Sequence, residues 1–470
     1  MKIYNIVALI LISSLLLSCG KSDNRTKNIT KKPWEHGALM VSKNHRMLQH
    51  TDGTGFFWMA DTAWQMSYKL NKQEVKQYLS DRENKGFSVI QMSAVMKGKF
   101  PKNRDGAKPF NNDSIVNPNQ QYWENIDFII QTAEEKGLYI ALLPAWFGVL
   151  GSNVNDANTY ASFIANRYKN KKNIIWVLGG DSGDKSYSNP KNTWKTNMNI
   201  WNNMGVTIDK IVKDKQLITF HPGGYSSSSD WFNDASWIDF HMLQSGHRGD
   251  VDYANKLLLK HYKNIKKPIF DGEPRYESIL KSFSEKNGRY TAKDVRSIAY
   301  IQLFSGAFGH TYGHHSIWQF WKEGPVDCCG STEEDKTWTN ALNDKGAEQM
   351  RYLAKLMKSR PILKRVPDHT MVIKGTAIAT KGEGYAFIYL PDGGAVTIDF
   401  FDKEVKAWWY NPRTGESRLD GVYSSSHTFT TGDKDMVLVL DDVSRNYPTP
   451  GAGYTQSKEF IDLNTTHTSF

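Results

Sequence analysis

Between Phe56 and Trp318, short apolar runs rich in β-branched and aromatic residues alternate with longer stretches whose apolar positions recur every three or four residues. The first pattern predicts strands, the second helices, and their regular alternation predicts βα units around a parallel sheet. The strand-like runs are FFWMAD (56–61), FSVIQMS (87–93), LYIALLPAW (138–146), NIIWVLGGD (173–181), QLITFHP (216–222), WIDFHMLQ (237–244), KPIFDGEP (267–274) and AFGHTYGHH (307–315). Helical patterns occupy 71–86, 119–137, 155–170, 195–213, 251–265 and 291–304, several of them opening on Asn, Asp or Thr caps and two ending on Gly. The fifth and sixth strands are separated only by a short element, SSSSDWFNDAS, and a last helix at 344–359 closes the ring. Eight strands with right-handed helical crossovers predict a (β/α)8 TIM barrel over residues 33–360.

After Arg360-Pro361 the pattern becomes all-β, with short strands separated by Gly, Asp and Pro turns. A small C-terminal antiparallel β-sandwich is expected over 361–443, followed by a polar tail at 444–470. At the other end, residues 1–18 carry one charge, Lys2, and then an uncharged apolar run, which reads as a signal peptide. The run stops at Leu16-Leu17-Ser18-Cys19-Gly20, a sequence similar to a bacterial lipobox, which makes Cys19 the expected lipidation site. A signal cleaved without lipid is the competing reading. Residues 19–32 are polar and irregular, as in a flexible tether. No later stretch approaches the ~20 apolar residues of a membrane span. The expected location is therefore export, with anchoring by N-terminal lipid alone on the periplasmic or cell-surface face of the outer membrane.

Composition narrows the chemistry. Aromatics make up 13% of the chain, with 15 Trp, an excess that suits stacking on the apolar faces of sugars, although a Trp-rich core would look the same. The net charge of +10 favours an acidic glycan, and the basic residues are scattered without any nucleic-acid-binding motif, so nucleic acid is not an expected partner. Besides Cys19 only Cys328 and Cys329 remain, as a vicinal disulfide or two thiols, too few for a zinc site. No cofactor is expected, and the chain reads as a monomer.

In a barrel of this kind the active site forms where strands end at their carboxyl side, so the polar residues closing each apolar run are the informative ones. They include Asp61, Trp64, Gln91, Ser93, Trp146, Asp181, His221, His241, Gln244, Glu273, Arg275, His310, Tyr312, His314 and His315. Two carboxylates stand apart, each beside glycine after a continuous apolar run: Gly179-Gly180-Asp181 on the fourth strand and Asp271-Gly272-Glu273 on the seventh. Strands four and seven face each other across a barrel, as an acid that protonates a leaving oxygen and a carboxylate that attacks the anomeric carbon must do. Glu273 is the expected nucleophile and Asp181 the acid/base, with Asp184 as the alternative acid. A helix cap for Asp181 and an ion pair with Arg275 for Glu273 are the structural alternatives. Asp61 reads as a sugar-positioning residue or a turn cap. Three His in HTYGHHSIWQFW suggest a metal, but no HExxH is present, and His310, Tyr312 and His315 serve equally well as partners of sugar hydroxyls. Trp146, Trp318 and Trp321 are candidate stacking platforms, with core packing competing for Trp321.

ADTAW after strand one, WVLGGD after strand four, DGEPRYE after strand seven and GHTYGHHSIWQF together resemble glycoside hydrolase family 140, the apiosidases of pectic rhamnogalacturonan II side chains. VKAWWYNPRTGE resembles the small β-domain that accompanies them, often labelled collagen-binding. The resemblance covers about 33–443 and implies a retaining enzyme with acid/base on strand four and nucleophile on strand seven, carried onto Asp181 and Glu273. It further implies a cut at an apiose–galacturonate linkage. Many members of the wider clan place Asn-Glu where this chain has Gly180-Asp181, so local backbone must bring the shorter acid closer. The competing readings are another exported β-glycosidase or glycanase, and a surface lipoprotein that binds glycan or collagen without catalysis.

Overall fold

The computed structural model describes residues 31–96, 100–183, 193–324, 329, 332, 335–399 and 403–456, without the side chains of 193–197. The predicted signal peptide, Cys19, Asp184 and Cys328 lie outside these residues; Cys329 is disulfide-bonded. No helix among the described residues is long and apolar enough to cross a membrane.

Eight strands form the barrel wall: β1 (Trp58–Thr62), β2 (Val89–Ser93), β3 (Tyr139–Leu143), β4 (Ile174–Ser182), β5 (Ile218–Pro222), β6 (His241–Gln244), β7 (Ile269–Asp271) and β8 (Gly309–Tyr312). They pair in parallel in the order β5-β4-β3-β2-β1-β8-β7-β6. The ring closes between β5 and β6, where the Asp239 N–H donates to the Ile218 carbonyl (2.9 Å) and the Asp239 carboxylate accepts from the Ile218 N–H (2.7 Å). A two-residue strand, Ser226–Ser227, adds antiparallel to β6. The architecture is the predicted TIM barrel.

The outer layer holds α1 (Lys72–Asn84), α2 (Gln120–Glu135), α3 (Val154–Tyr168), α4 (Thr193–Val212), α5 (Val251–Asn264), α6 (Ala292–Phe304) and α7 (Lys345–Lys358). Asn71, Asn119, Asn153, Asp250 and Thr291 each accept from a first-turn N–H, with full capping boxes at Asn71/Glu74 and Thr291/Asp294. Between β5 and β6 only the four-residue helix Ser229–Phe232 intervenes, matching the short element in the sequence.

Side chains of a strand alternate in facing, which decides what reaches the lumen. Trp58 points inward and packs against Phe240, Phe270 and Phe308 at ring separations of 4.9 to 6.2 Å, sealing the barrel floor. The same register turns Met59 and Asp61, with their partners His310 and Tyr312, out toward the helices.

The C-terminal domain is a sandwich of a six-stranded and a three-stranded antiparallel sheet. Its strand Tyr385–Leu390 is buried along its whole length, because its two faces serve two cores. Ala386, Ile388 and Leu390 join the sandwich interior, while Tyr385, Phe387 and Tyr389 join the barrel core. Tyr389 stacks on Tyr300 and Phe387 on Phe304 of α6, at 5.2 and 5.9 Å.

Candidate active site

β4 follows its ladder through Leu178 and then departs from it. Gly179, Gly180 and Asp181 take φ of 97°, 84° and 52°, and pairing to β5 jumps from Gly179–His221 to Ser182–Pro222. Gly180 and Asp181 are thus looped out as a bulge, a device that re-aims a side chain. Both glycines are required: a Cβ on Gly179 would meet the His221 carbonyl oxygen at 2.3 Å, and one on Gly180 would meet the Trp146 ring at 2.8 Å. Aspartate tolerates the left-handed region better than most side chains do. The bulge supplies the backbone adjustment that a short acid at this place requires.

Opposite it, β7 ends at Asp271, whose carboxylate accepts from the Ser245 N–H (3.2 Å), the Glu273 N–H (3.3 Å) and the Gln302 amide (2.7 Å). Burial pushes Asp271 up to about 6. Across the lumen the Gln91 amide donates to the Gly272 carbonyl (2.9 Å). The segment that carries Glu273 is thereby fixed from both sides.

Asp181, His221 and Glu273 bring one oxygen or nitrogen each to within 4.8 Å of one another. The His247 Nε2 hydrogen-bonds Glu273 Oε1 at 3.1 Å. The His221 Nε2 lies 3.1 Å from Oε2, off the hydrogen-bonding line but close enough to oppose protonation of the carboxylate. Burial would raise Glu273, yet the two imidazoles outweigh it and hold the carboxyl well below its usual range. Asp181 shifts the other way: burial and the negative charge of Glu273 raise it, despite a hydrogen bond from Gln244 and the nearby imidazoles. A carboxylic acid that keeps its proton therefore faces a carboxylate that has lost one, and environments that push a pair apart in this way mark an acid and a nucleophile. The three residues also form a donor set of the kind that holds a divalent cation. The Asp181 N–H donates to His221 Nδ1 (3.3 Å), which places the imidazole proton on Nε2, so the ring turns an N–H rather than a lone pair toward Glu273.

Residues 42–364 match the family described as "Apiosidase-like, catalytic domain". The chain belongs to the apiosidase-like family. Residues 366–441 match "Putative collagen-binding domain of a collagenase". The crystal structure of a glycoside hydrolase family 5 protein from Bacteroides vulgatus is 33% identical, with a TM-score of 0.81 over 91% of this chain and 98% of that one. A second solved structure, described as a glycoside hydrolase, is 35% identical, with a TM-score of 0.79 over 89% of this chain and 100% of the other. Among curated proteins none matches. This apiosidase-like protein is thus a glycosidase.

Of the residues expected at the site, the apiosidase-like barrel brings Asp181, Glu273, His221, Gln244, Trp64 and Trp146 together. Trp64 packs edge-on against Trp146 and against His221, both at 5.2 Å, and its indole N–H donates to the Tyr276 hydroxyl (3.1 Å). Among the described residues Arg275 pairs with no carboxylate; it lies over the Tyr290 ring. Trp318 is buried at the end of a short helix, and its indole nitrogen has no hydrogen-bond partner among the described residues. Trp321 is half-buried and donates to the Gly324 carbonyl.

Five expectations are corrected. Asp61 does not face sugar: fully buried, it accepts from Tyr78 (2.6 Å) and Arg82 (2.5 Å) of α1. Tyr312, beside it in register, donates to Glu277 (2.5 Å). His310 is enclosed on the same outer face, and burial lowers it to about 3. His241 opens β6 rather than ending it, and its Nδ1 meets the Ser228 hydroxyl (2.8 Å) on the outer side. His315 also turns to protein, its Nε2 3.8 Å from the Asp335 carboxylate, and His314 to Asp344 (2.9 Å). The sequence reading missed His247, three residues beyond β6, and Tyr276, whose only signal was its place in DGEPRYE.

Proposed function

We propose that this protein is a retaining glycosidase in which Glu273 attacks the anomeric carbon and Asp181 first protonates the leaving oxygen, then activates water. The observation that carries this reading is the pair of carboxyl groups, within 4.8 Å of one another and shifted in opposite directions. Retaining enzymes hold their two carboxyl groups ~5–5.5 Å apart, whereas inverting enzymes need ~6.5–9.5 Å to admit water. Gly180-Asp181 and DGEPRYE, with the apiosidase-like match over 42–364, support the apiose–galacturonate linkage of rhamnogalacturonan II side chains as the bond cut. The Cys19 motif supports export and lipid anchoring at the outer membrane, and the net charge of +10 supports an acidic pectic glycan as substrate.

The test is release of apiose from rhamnogalacturonan II side-chain oligosaccharides by wild type, Glu273→Ala and Asp181→Ala. Wild-type release with both variants reduced by roughly three or more orders of magnitude supports mechanism and substrate together. No release from any pectic substrate overturns the linkage, and full activity in either variant overturns that residue's role.

A further inference from the structure

The His247 imidazole holds Glu273 through Nε2, but its other ring nitrogen, Nδ1, is buried and has no hydrogen-bond partner among the described residues. A second hydrogen bond is the usual means of fixing which way an imidazole points. Here packing must do it. Of the two rings against it, Tyr276 is the closer, with its centre 4.5 Å from that of the imidazole; Phe283 lies at 5.7 Å. Tyr276 is three residues beyond Glu273 and only 1% exposed. Its ring is pressed onto the turn after β8, where a Cβ on Gly313 would come within 2.1 Å of it. The next residue ties the backbone to the same turn: the Glu277 N–H donates to the Gly313 carbonyl (2.9 Å), and the His315 N–H to the Glu277 carbonyl (2.9 Å). The Glu277 carboxylate accepts from the Tyr312 hydroxyl (2.5 Å) and from the Gly346 N–H near the start of α7 (3.0 Å). Tyr276 is therefore a fixed support for His247, not a neighbour that can drift with it.

The far end of the same side chain serves the second imidazole. The Tyr276 hydroxyl accepts from the Trp64 indole N–H (3.1 Å), and Trp64 stands perpendicular to His221 at a ring separation of 5.2 Å. Burial and the charge of Glu273 raise Tyr276 well above the usual tyrosine range, so the hydroxyl keeps its proton and adds no charge to the site. Both imidazoles that face Glu273 thus rest on one side chain. We propose that Tyr276 is a positioning residue for the nucleophile: its ring aims His247 at Glu273, and its hydroxyl holds Trp64 against His221. It acts through the two imidazoles and not on the sugar, a supporting role that keeps a reacting group in its productive geometry. The inference rests on the reading of Glu273 as nucleophile.

Two substitutions separate the ring from the hydroxyl. Tyr276→Leu removes both, whereas Tyr276→Phe removes the hydroxyl alone and keeps the packing, so that one variant retains the fold if the other does not. In crystal structures of the full chain, Tyr276→Leu is expected to open the 3.1 Å contact between His247 and Glu273, and Tyr276→Phe to keep it while Trp64 turns away from its lost acceptor. On the glycan that wild type hydrolyses, Tyr276→Leu should lower kcat/KM about tenfold or more and move its acidic limb to higher pH, the direction expected of His247→Ala. Combining the two substitutions should move the limb no further, because they remove the same support. Tyr276→Phe should recover most of that displacement but not all of the rate. An intact His247–Glu273 contact in Tyr276→Leu, an acidic limb that stays in place while the rate falls, or full kcat/KM in Tyr276→Phe with Trp64 unmoved overturns the proposal. Hydrolysis by Glu273→Ala would instead sink the reading of Glu273 as nucleophile, and the crystal structures would still decide whether Tyr276 aims His247.

Discussion

Glu273 is ionised because two imidazoles face it, and His247 is the one that makes a direct hydrogen bond. A hydrogen bond to a charged group is worth ~1.5–3 kcal/mol, so His247→Ala should lower kcat/KM at least about tenfold. Without that donor Glu273 titrates higher, and a nucleophile that must be ionised loses activity sooner as pH falls; the acidic limb of kcat/KM therefore moves to higher pH. An unmoved limb in the variant would remove His247 from the mechanism. Asp181 gives the converse case. Its folded value is raised above its unfolded one, so the stability it contributes is present at low pH and is lost as pH rises through the folded value. Asp181→Asn, neutral throughout and tolerant of positive φ, should melt higher than wild type at pH 8 and show no gain at pH 4. Both carboxylates were legible in the sequence, since an acid beside glycine at the end of an apolar run has few structural uses. His247 was not, because nothing local shows that its loop folds back over Glu273.

The β4 bulge is the element that makes an aspartate sufficient here. Gly180→Ala places a Cβ 2.8 Å from Trp146 at a φ of 84°, and strain of this kind costs ~1–3 kcal/mol. The bulge can relieve it only by turning Asp181, so kcat should fall about tenfold or more with little change in KM. Gly86→Ala is the control: its φ of 75° is similar, but an added Cβ at the end of α1 would meet only Arg351 Cγ, at an ordinary 3.9 Å, so it should lower Tm and leave kcat alone. If the two variants match in kcat, the bulge does not aim the acid. The helices were readable to within about two residues because their caps are written in the sequence, as at Asn71 and Thr291. The strands were read too long, β6 as 237–244 where the ladder spans His241–Gln244. That error moved His241 from the start of a strand to its end. Asp61, His310 and Tyr312 failed for a related reason: every residue of a buried strand is enclosed, so apolar pattern does not tell the lumen face from the helix face.

At the scale of the whole molecule, the C-terminal sandwich is locked to the barrel by buried charge as well as by the Tyr389–Tyr300 and Phe387–Phe304 stacks. Arg296 of α6 donates to Asp435, which also accepts from the Tyr389 hydroxyl (2.8 Å), and Arg360 makes a two-pronged pair with Asp441 (2.7 and 2.6 Å). Such pairs add little when compared with apolar packing, but deleting one partner strands a charge and costs ~3–5 kcal/mol. That amount is a large fraction of the ~5–15 kcal/mol that separates a folded domain from its unfolded chain. The barrel and the sandwich should therefore melt as one calorimetric transition. Asp435→Ala should lower that single Tm by several degrees, because the charge it strands sits on a barrel helix, and a chain ending at residue 360 should fail to give a folded barrel. Two separate transitions in wild type, or a stable barrel without the sandwich, would show instead that the C-terminal domain is an independent module.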